Sequence, residues 1–381
     1  MKKNSEVAPC GRLKIMNDIE AIIKPHFKDS EEYVPIEPVD VLGELVKKPA
    51  EDIIKLDGNE NPYGCSPLVR KFLASYPYYH LYPDPEQREL KKALAGYTGV
   101  GEEHIVGGAG SDDLIDLILR LFVGPGDKVI NCVPTFGMYS YGTGLCGGTV
   151  VSLPRDNHYA IVLKDIRGAV DSGARVMFLA SPNNPSGNVT PEEDILSLLD
   201  RDIVLVVDEA YVEFSGTSLI REVPKRNNLI VLRTFSKWAG LAGLRVGYGI
   251  FPPNIARYIM KIKQPYNINC AAQVAALASL QDLQYLKDTI NKIIEERKRL
   301  FGKLKELRFL SPYPSRANFI LCRVVTGNAR TIYEKLKSKG ILVRYFDTPL
   351  LRDYLRISVG KPAHTDVLIK ELKSIGEKGD E

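Results

Sequence analysis

Between residues 86 and 250 the chain alternates short apolar, β-rich runs with segments of helical spacing, and this alternation restricts the fold more than any other feature of the sequence. The runs are KVINCV, TVVSL, RVMFLA, IVLVVDEA, NLIVLRTF and LRVGYGI. They lack the polar interleaving of a half-solvated strand, so each must be covered on both faces. Between them lie SDDLIDLILRLF and PEEDILSLLD, whose apolar residues recur at helical intervals, and a proline-free periodic stretch from Glu86 to Tyr97 precedes them. Strands alternating with amphipathic helices predict an α/β fold with a mainly parallel sheet, and chemistry in the loops at the carboxyl ends of its strands.

At 381 residues the chain exceeds the usual single domain, and its 44% hydrophobic content supplies a large core. Residues 1–55 read as an irregular arm, with the proline-spaced stretch YVPIEPVDVLGEL extended across a neighbour rather than packed as an element. Residues 56–265 form the large domain. After residue 265 the texture shifts to long helices, including the charged span Leu286 to Leu307, and then to the strands ANFILCRV, ILVRYF and YLRISVG. Residues 266–381 therefore read as a smaller α+β domain.

Charge and cysteine usage exclude several classes. The 51 basic and 47 acidic residues are interspersed rather than gathered into a stripe, which argues against nucleic acid and membrane partners. The six cysteines form no CxxC pair and the five histidines no metal-like spacing, so no metal is expected and the thiols read as buried or incidental. The N-terminus has positive charge but no apolar core, and no later run approaches the roughly 18 residues of a membrane helix. A reducing cytoplasm fits best, with a trimmed organelle precursor left open.

Four motifs carry the chemistry. In TFSKWAGLAGLRVGYG a strand ends in Ser236 and Lys237, and Arg245 opens the next strand. A lysine at a strand end in apolar surroundings is costly unless its amine is neutral or covalently bonded, although a stem packed on Trp238 is the plainer reading of that residue alone. In VVDEAY, Asp208 ends the most hydrophobic strand, with Tyr211 three residues on. An acid there is either a satisfied strand-end cap or a carboxylate aimed at a buried cation. SPNNPSG follows RVMFLA directly and places Asn184 in a turn at a strand's carboxyl end. In VGGAGSDDLIDLILRLF a glycine-rich turn leads through Ser111 into a periodic helix, whose free amides suit a phosphate. The same residues also read as an N-cap serine followed by two dipole-compensating aspartates, Asp112 and Asp113. The turn is a poor dinucleotide fingerprint, since its third glycine is replaced by Asp113.

Taken in order, Gly-Ser-Asp, PTFGMY, SPNNP, DEAY and SK with a following arginine resemble the pattern of fold-type I aminotransferases. Within them, the span from YVPIEP and KLDGNENPYG to YLRISVG is similar to the histidinol-phosphate aminotransferases. The resemblance implies a fold-type I transferase that uses pyridoxal phosphate, with Lys237 as its Schiff-base lysine and Asp208 paired to the pyridine nitrogen. It implies that Tyr211 and Asn184 hold the phenolate oxygen and that Phe136 stacks on the ring, where many relatives carry tyrosine. Gly110, Ser111, Asp112, Ser236 and Arg245 would cradle the phosphate, with Tyr82 reaching in from the other subunit of a homodimer. Tyr33, Arg344 and Arg356 match the family's substrate-binding positions, and a guanidinium pair suits a phosphate dianion. The implied reaction moves an amino group between histidinol phosphate or imidazole acetol phosphate and glutamate or 2-oxoglutarate. Two rivals share the scaffold, an aromatic amino-acid aminotransferase and an O-phosphothreonine decarboxylase. A cofactor-free regulatory protein is a third, disfavoured because a suitable side chain fills every expected cofactor contact.

Overall fold

The computed structural model describes residues 19–28 and 38–377. Its strands are β1 (Ile54–Leu56), β2 (Ile105–Gly108), β3 (Lys128–Val133), β4 (Thr149–Pro154), β5 (Ala174–Ala180), β6 (Val204–Asp208), β7 (Leu229–Thr234), β8 (Gly247–Ile250), β9 (Leu310–Pro312), β10 (Phe319–Val324), β11 (Ile341–Tyr345) and β12 (Tyr354–Ser358).

Seven of them form one sheet in the order β2-β8-β7-β6-β5-β3-β4. The run from β7 to β4 is parallel throughout, while β8 is antiparallel to both of its neighbours. This is the mainly parallel α/β sheet expected from the apolar runs. Met177, Phe178, Leu179, Leu205, Val206 and Leu229 are wholly buried, because helices cover both faces. Helix Ser111–Phe122 covers part of one face through Leu114, Ile115, Leu117 and Ile118.

The remaining strands form a second sheet in the order β1-β11-β12-β10-β9. Ile54 is the Cα partner of Ile341 in a parallel pairing, whereas the other pairings are antiparallel. The strand that follows the N-terminal arm thus completes a sheet otherwise drawn from the last fifth of the chain.

Local structure departs from the sequence reading in four places. The stretch taken as an extended arm contains a helix, Val39–Val46, with Pro38 at its N-cap. Val39, Leu42 and Val46 recur at helical spacing and pack with Ile53 and Leu342. Burying Leu42 completely offers roughly 1.5–3 kcal/mol, enough to favour the helix over the extended form that the flanking prolines suggest. The helix expected from Glu86 begins at Arg88, because Gln87 adopts a left-handed φ of 58°. PEEDILSLLD yields only the five-residue helix Glu192–Leu196. Ser111 is not the N-cap of its helix: Gly110 is, at φ 84°, and Asp113 Oδ2 accepts the Ala109 N–H at 2.9 Å.

Candidate active site

Parallel strands deliver their carboxyl ends to one edge of the large sheet, and the expected chemical residues gather there. Asp208 closes β6, Asn184 follows β5, Lys237 follows β7, and the glycine turn follows β2. The segment after β1 reaches the same place from the second sheet.

Asp208 is 4% exposed. Its Oδ2 accepts a hydrogen bond from the Tyr139 hydroxyl at 2.7 Å, and its Oδ1 accepts the Ala210 N–H at 3.0 Å. Burial raises the carboxyl to about 6, against the pull of those two donors. Tyr139 is itself fully buried, stacked on Phe178 and edge-on to Phe136, so its hydroxyl is aimed by packing.

Lys237 Nζ donates to the Gly58 carbonyl at 3.0 Å. Burial, with the Arg356 guanidinium next in effect, lowers the amine to about 8, so near physiological pH it is neutral far more often than an exposed lysine, though still mostly protonated. Trp238 is not a platform for the lysine stem: it lies in the core, stacks on Tyr97, and donates Nε1–H to the Thr234 carbonyl at 2.9 Å.

The glycine turn, Ser236 and Arg245 form one cluster at the start of helix Ser111–Phe122. Arg245 donates to Asp112 Oδ2 at 2.8 Å and to Ser236 Oγ at 3.4 Å. A Cβ on Gly110 would lie 2.5 Å from Arg245 Nη2 and push that guanidinium aside, and the φ of 84° favours glycine in its own right. Ser111 turns its backbone against Gly247, where an added Cβ would meet its nitrogen at 2.7 Å. Helix-start amides, a hydroxyl and a guanidinium are the donor set that holds a phosphate ester.

On the opposite side, Arg356 Nη1 donates to Asn184 Oδ1 at 2.6 Å, and Nη2 donates to the Asp57 carbonyl. This leaves the Asn184 amide nitrogen as the donor end of that side chain. Arg344 is the cross-strand partner of Arg356, and both guanidinium groups lie over the ring of Phe346, at 5.6 and 5.7 Å.

Tyr211 packs edge-on against Phe319, and its oxygen accepts from Asn59 Nδ2 at 3.0 Å. Asn59 and Tyr139 are site residues that sequence reasoning missed, although both lie in motifs already singled out, KLDGNENPYG and PTFGMY. Tyr82 is not brought into the cluster of this chain: it is 81% exposed and stacks on Tyr266. Tyr33 lies outside the described residues.

A lysine with a lowered amine, a buried acid and a phosphate cradle, all at the carboxyl edge of a seven-stranded sheet, define a class. The chain belongs to the class I and II aminotransferase family, whose family model matches residues 51–372. It is an enzyme with the fold-type I architecture. More particularly, it is 51% identical over 334 residues to the histidinol-phosphate aminotransferase of Dehalococcoides mccartyi strain 195, covering 88% of this chain and 93% of that one. It is 47% identical over 357 residues to the chloroplastic histidinol-phosphate aminotransferase 1 of Arabidopsis thaliana, covering 93% and 86%. The crystal structure of the Sinorhizobium meliloti histidinol-phosphate aminotransferase in complex with pyridoxal-5'-phosphate superposes with a TM-score of 0.85 at 28% identity, over 97% of this chain and 99% of that one. The L-threonine-O-3-phosphate decarboxylase of Porphyromonas gingivalis follows at a TM-score of 0.76 and 25% identity, covering 85% and 100%.

Proposed function

We propose that the enzyme binds pyridoxal phosphate and transfers an amino group between histidinol phosphate and 2-oxoglutarate, yielding imidazole acetol phosphate and glutamate, as a step of histidine biosynthesis. The observation that carries the substrate reading is the Arg344–Arg356 pair over Phe346, with Arg356 bonded to Asn184 at the edge of the cofactor site. Two guanidinium groups carried by cross-strand partner residues match the charge of a phosphate dianion better than that of a carboxylate. Tyr33 would join them from the arm.

The residues present fit the cofactor. Gly110, Ser111, Asp112, Ser236 and Arg245 would hold its phosphate, Asp208 its ring nitrogen, and Tyr211 and Asn184 its phenolate oxygen, with Phe136 against the ring. Bound there, pyridoxal phosphate supplies an electron sink that makes the substrate's α proton removable. Lys237 is the residue that would hold the cofactor covalently and, once displaced by substrate, move the proton. Its lowered amine suits a base working near neutral pH. Asp208, paired with the protonated ring nitrogen, would stay ionised and hold the positive charge in place. Tyr139 and Ala210 keep its two oxygens oriented.

In this reading the active form is a cytoplasmic homodimer with shared sites, in which Tyr82, exposed on one subunit, contributes to the phosphate cradle of the other. We take residues 56–265 as the cofactor domain, residues 266–381 as the small domain, and residues 1–55 as an arm that helps to close it.

The test is to assay purified protein side by side with histidinol phosphate, phenylalanine and O-phosphothreonine, after recording its visible absorption. A yellow protein that favours histidinol phosphate with 2-oxoglutarate supports the reading. A preference for phenylalanine, or release of carbon dioxide from O-phosphothreonine, replaces it with one of the two rivals on this scaffold.

A further inference from the structure

Three consecutive residues after β1 hold three different groups of the site. The Asp57 carbonyl accepts from Arg356, the Gly58 carbonyl accepts from Lys237 at 3.0 Å, and Asn59 Nδ2 donates to the Tyr211 oxygen at 3.0 Å. Asn59 is 1% exposed and sits at φ 55°, a left-handed conformation that an asparagine adopts more readily than most residues. It is held from every side: its N–H donates to Ser358 Oγ at 2.9 Å, Ser358 Oγ donates to its Oδ1 at 2.9 Å, and Asn318 Nδ2 donates to its carbonyl at 2.8 Å. Because Ser358 engages one end of the amide, the other end, Nδ2, faces the phenol.

We infer that Asn59 is a positioning residue of the reaction, which fixes the direction of the Tyr211 hydroxyl and ties it to the strand that carries Arg356. A phenol has one proton and accepts through the same oxygen. A donor on the Asn59 side makes the oxygen an acceptor there and turns its proton to the other side. In the functional reading above, on which this inference rests, that proton goes to the phenolate oxygen of the cofactor. Ser358 stands two residues from Arg356 on β12, so the two share a face of the strand. Asn59 therefore links the substrate side of the site to the tyrosine that tunes the cofactor.

The test compares holoenzyme of the parent with Asn59→Gly, Asn59→Asp, Tyr211→Phe and the double variant Asn59→Gly/Tyr211→Phe. Glycine accepts φ 55° without strain and removes the whole amide. Aspartate keeps the shape and the acceptor used by Ser358, but has no donor for the phenol. Lys237, Asp208, Tyr139, Arg245, Asp112, Arg344 and Arg356, the other ionisable groups around the site, are the same in all of them, while Asn59→Asp adds a carboxyl whose charge by itself raises the midpoint.

The readout is the pH midpoint at which the visible band of the bound cofactor titrates. A donor to an anionic oxygen lowers its proton affinity, so losing the aim of that donor raises the midpoint. Asn59→Gly should raise it by about 0.4 to 1 pH unit, the size of one hydrogen bond, and Asn59→Asp should also raise it. Tyr211→Phe should raise it at least as far, and adding Asn59→Gly to Tyr211→Phe should move it no further.

If Asn59→Gly fails to load cofactor, Asn59→Asp is compared with Asn59→Asp/Tyr211→Phe, because an effect of the added charge persists without the tyrosine hydroxyl and an effect of its aim does not. An unchanged midpoint in the Asn59 variants, beside a raised one in Tyr211→Phe, overturns the inference while the functional reading stands. The inference is also overturned if the double variant shifts beyond Tyr211→Phe, since Asn59 would then act by another route. A parent protein with no visible band on addition of pyridoxal phosphate removes the functional reading itself.

Discussion

Arg344 and Arg356 face each other as cross-strand partners on β11 and β12, and their guanidinium groups share the ring of Phe346. Like charges directly opposed on one face of a sheet repel, and an anion bound beside both would lessen that repulsion. The two arginines are not equivalent. Arg356 is 6% exposed and bonds Asn184 and Asp57, while Arg344 is more open. Arg344→Ala is therefore the cleaner probe. A charge-assisted hydrogen bond contributes about 1.5 to 3 kcal/mol, so its loss should lower kcat/KM for histidinol phosphate by roughly 10 to 150-fold. With histidinol, which lacks the phosphate, parent and variant should be similarly poor. An equal loss on phenylalanine and histidinol phosphate would sink the phosphate assignment.

Lys237 makes the stability of the cofactor-free protein depend on pH. Its amine titrates near 10.5 when exposed and near 8 in the folded chain. Between those values the unfolded chain holds the extra proton, so the contribution of this residue to stability rises with pH across that window, and below about pH 8 the full cost of burying the charge remains. Cofactor-free Lys237→Met should melt at a higher temperature than the cofactor-free parent at pH 7, with the gap narrowing towards pH 10. The same substitution should abolish transamination, and borohydride reduction of the parent holoenzyme should place the cofactor on Lys237 in peptide mapping. A reduced adduct on another lysine would overturn the central assignment.

The buried pair behind the site should matter to stability rather than to chemistry. Arg233 donates through Nε and Nη2 to Glu209 Oε2 at 3.0 and 2.9 Å, with the two side chains 9% and 2% exposed. Arg233→Met leaves a buried carboxylate with only the Ser218 hydroxyl and the Leu219 N–H. It also removes the charge that draws down Glu213, whose carboxyl burial already pushes up to about 7. The expected cost is about 3 to 5 kcal/mol, read as a lower denaturation midpoint, and Arg233→Met/Glu209→Gln should recover part of it. A double variant no more stable than the single one would show that the pair is not the unit involved.

If Tyr82 acts across the dimer, two defective subunits should complement one another. In an equal mixture of Lys237→Ala and Tyr82→Phe chains that exchange freely, half the dimers are mixed and each carries one intact site, so about a quarter of all sites should regain parental activity. A mixture no more active than the mean of its components would place both residues in the same subunit's site.

The residues legible from sequence were those whose chemistry is local to a motif. Lys237, Asp208 and Asn184 each sit at a strand end or turn whose type the flanking pattern reveals, the phosphate role of Arg245 comes only from the family resemblance, and the α/β sheet follows from the unbroken apolar runs. The missed residues were those whose meaning lies in a distant partner. Nothing around Tyr139 says that its hydroxyl meets Asp208, and Asn59 acquires its role only when Ser358, Asn318 and Tyr211 arrive from far along the chain. The helix Val39–Val46 was hidden for a related reason. Its flanking prolines speak for extension, whereas the apolar cluster that favours a helix includes Leu342, at the other end of the sequence.

The pairing of β1 with β11 also orders events in time. Ile54 must wait for Ile341, so the second sheet, which carries both arginines, cannot close until almost the whole polypeptide has left the ribosome. The seven-stranded sheet is complete at Ile250 and can form earlier. The grip on Lys237 and Tyr211 by residues 58 and 59 depends on that late closure. On the proposed reading, a nascent chain would therefore have the residues of its phosphate cradle in hand before the strands that carry Arg344 and Arg356 emerge.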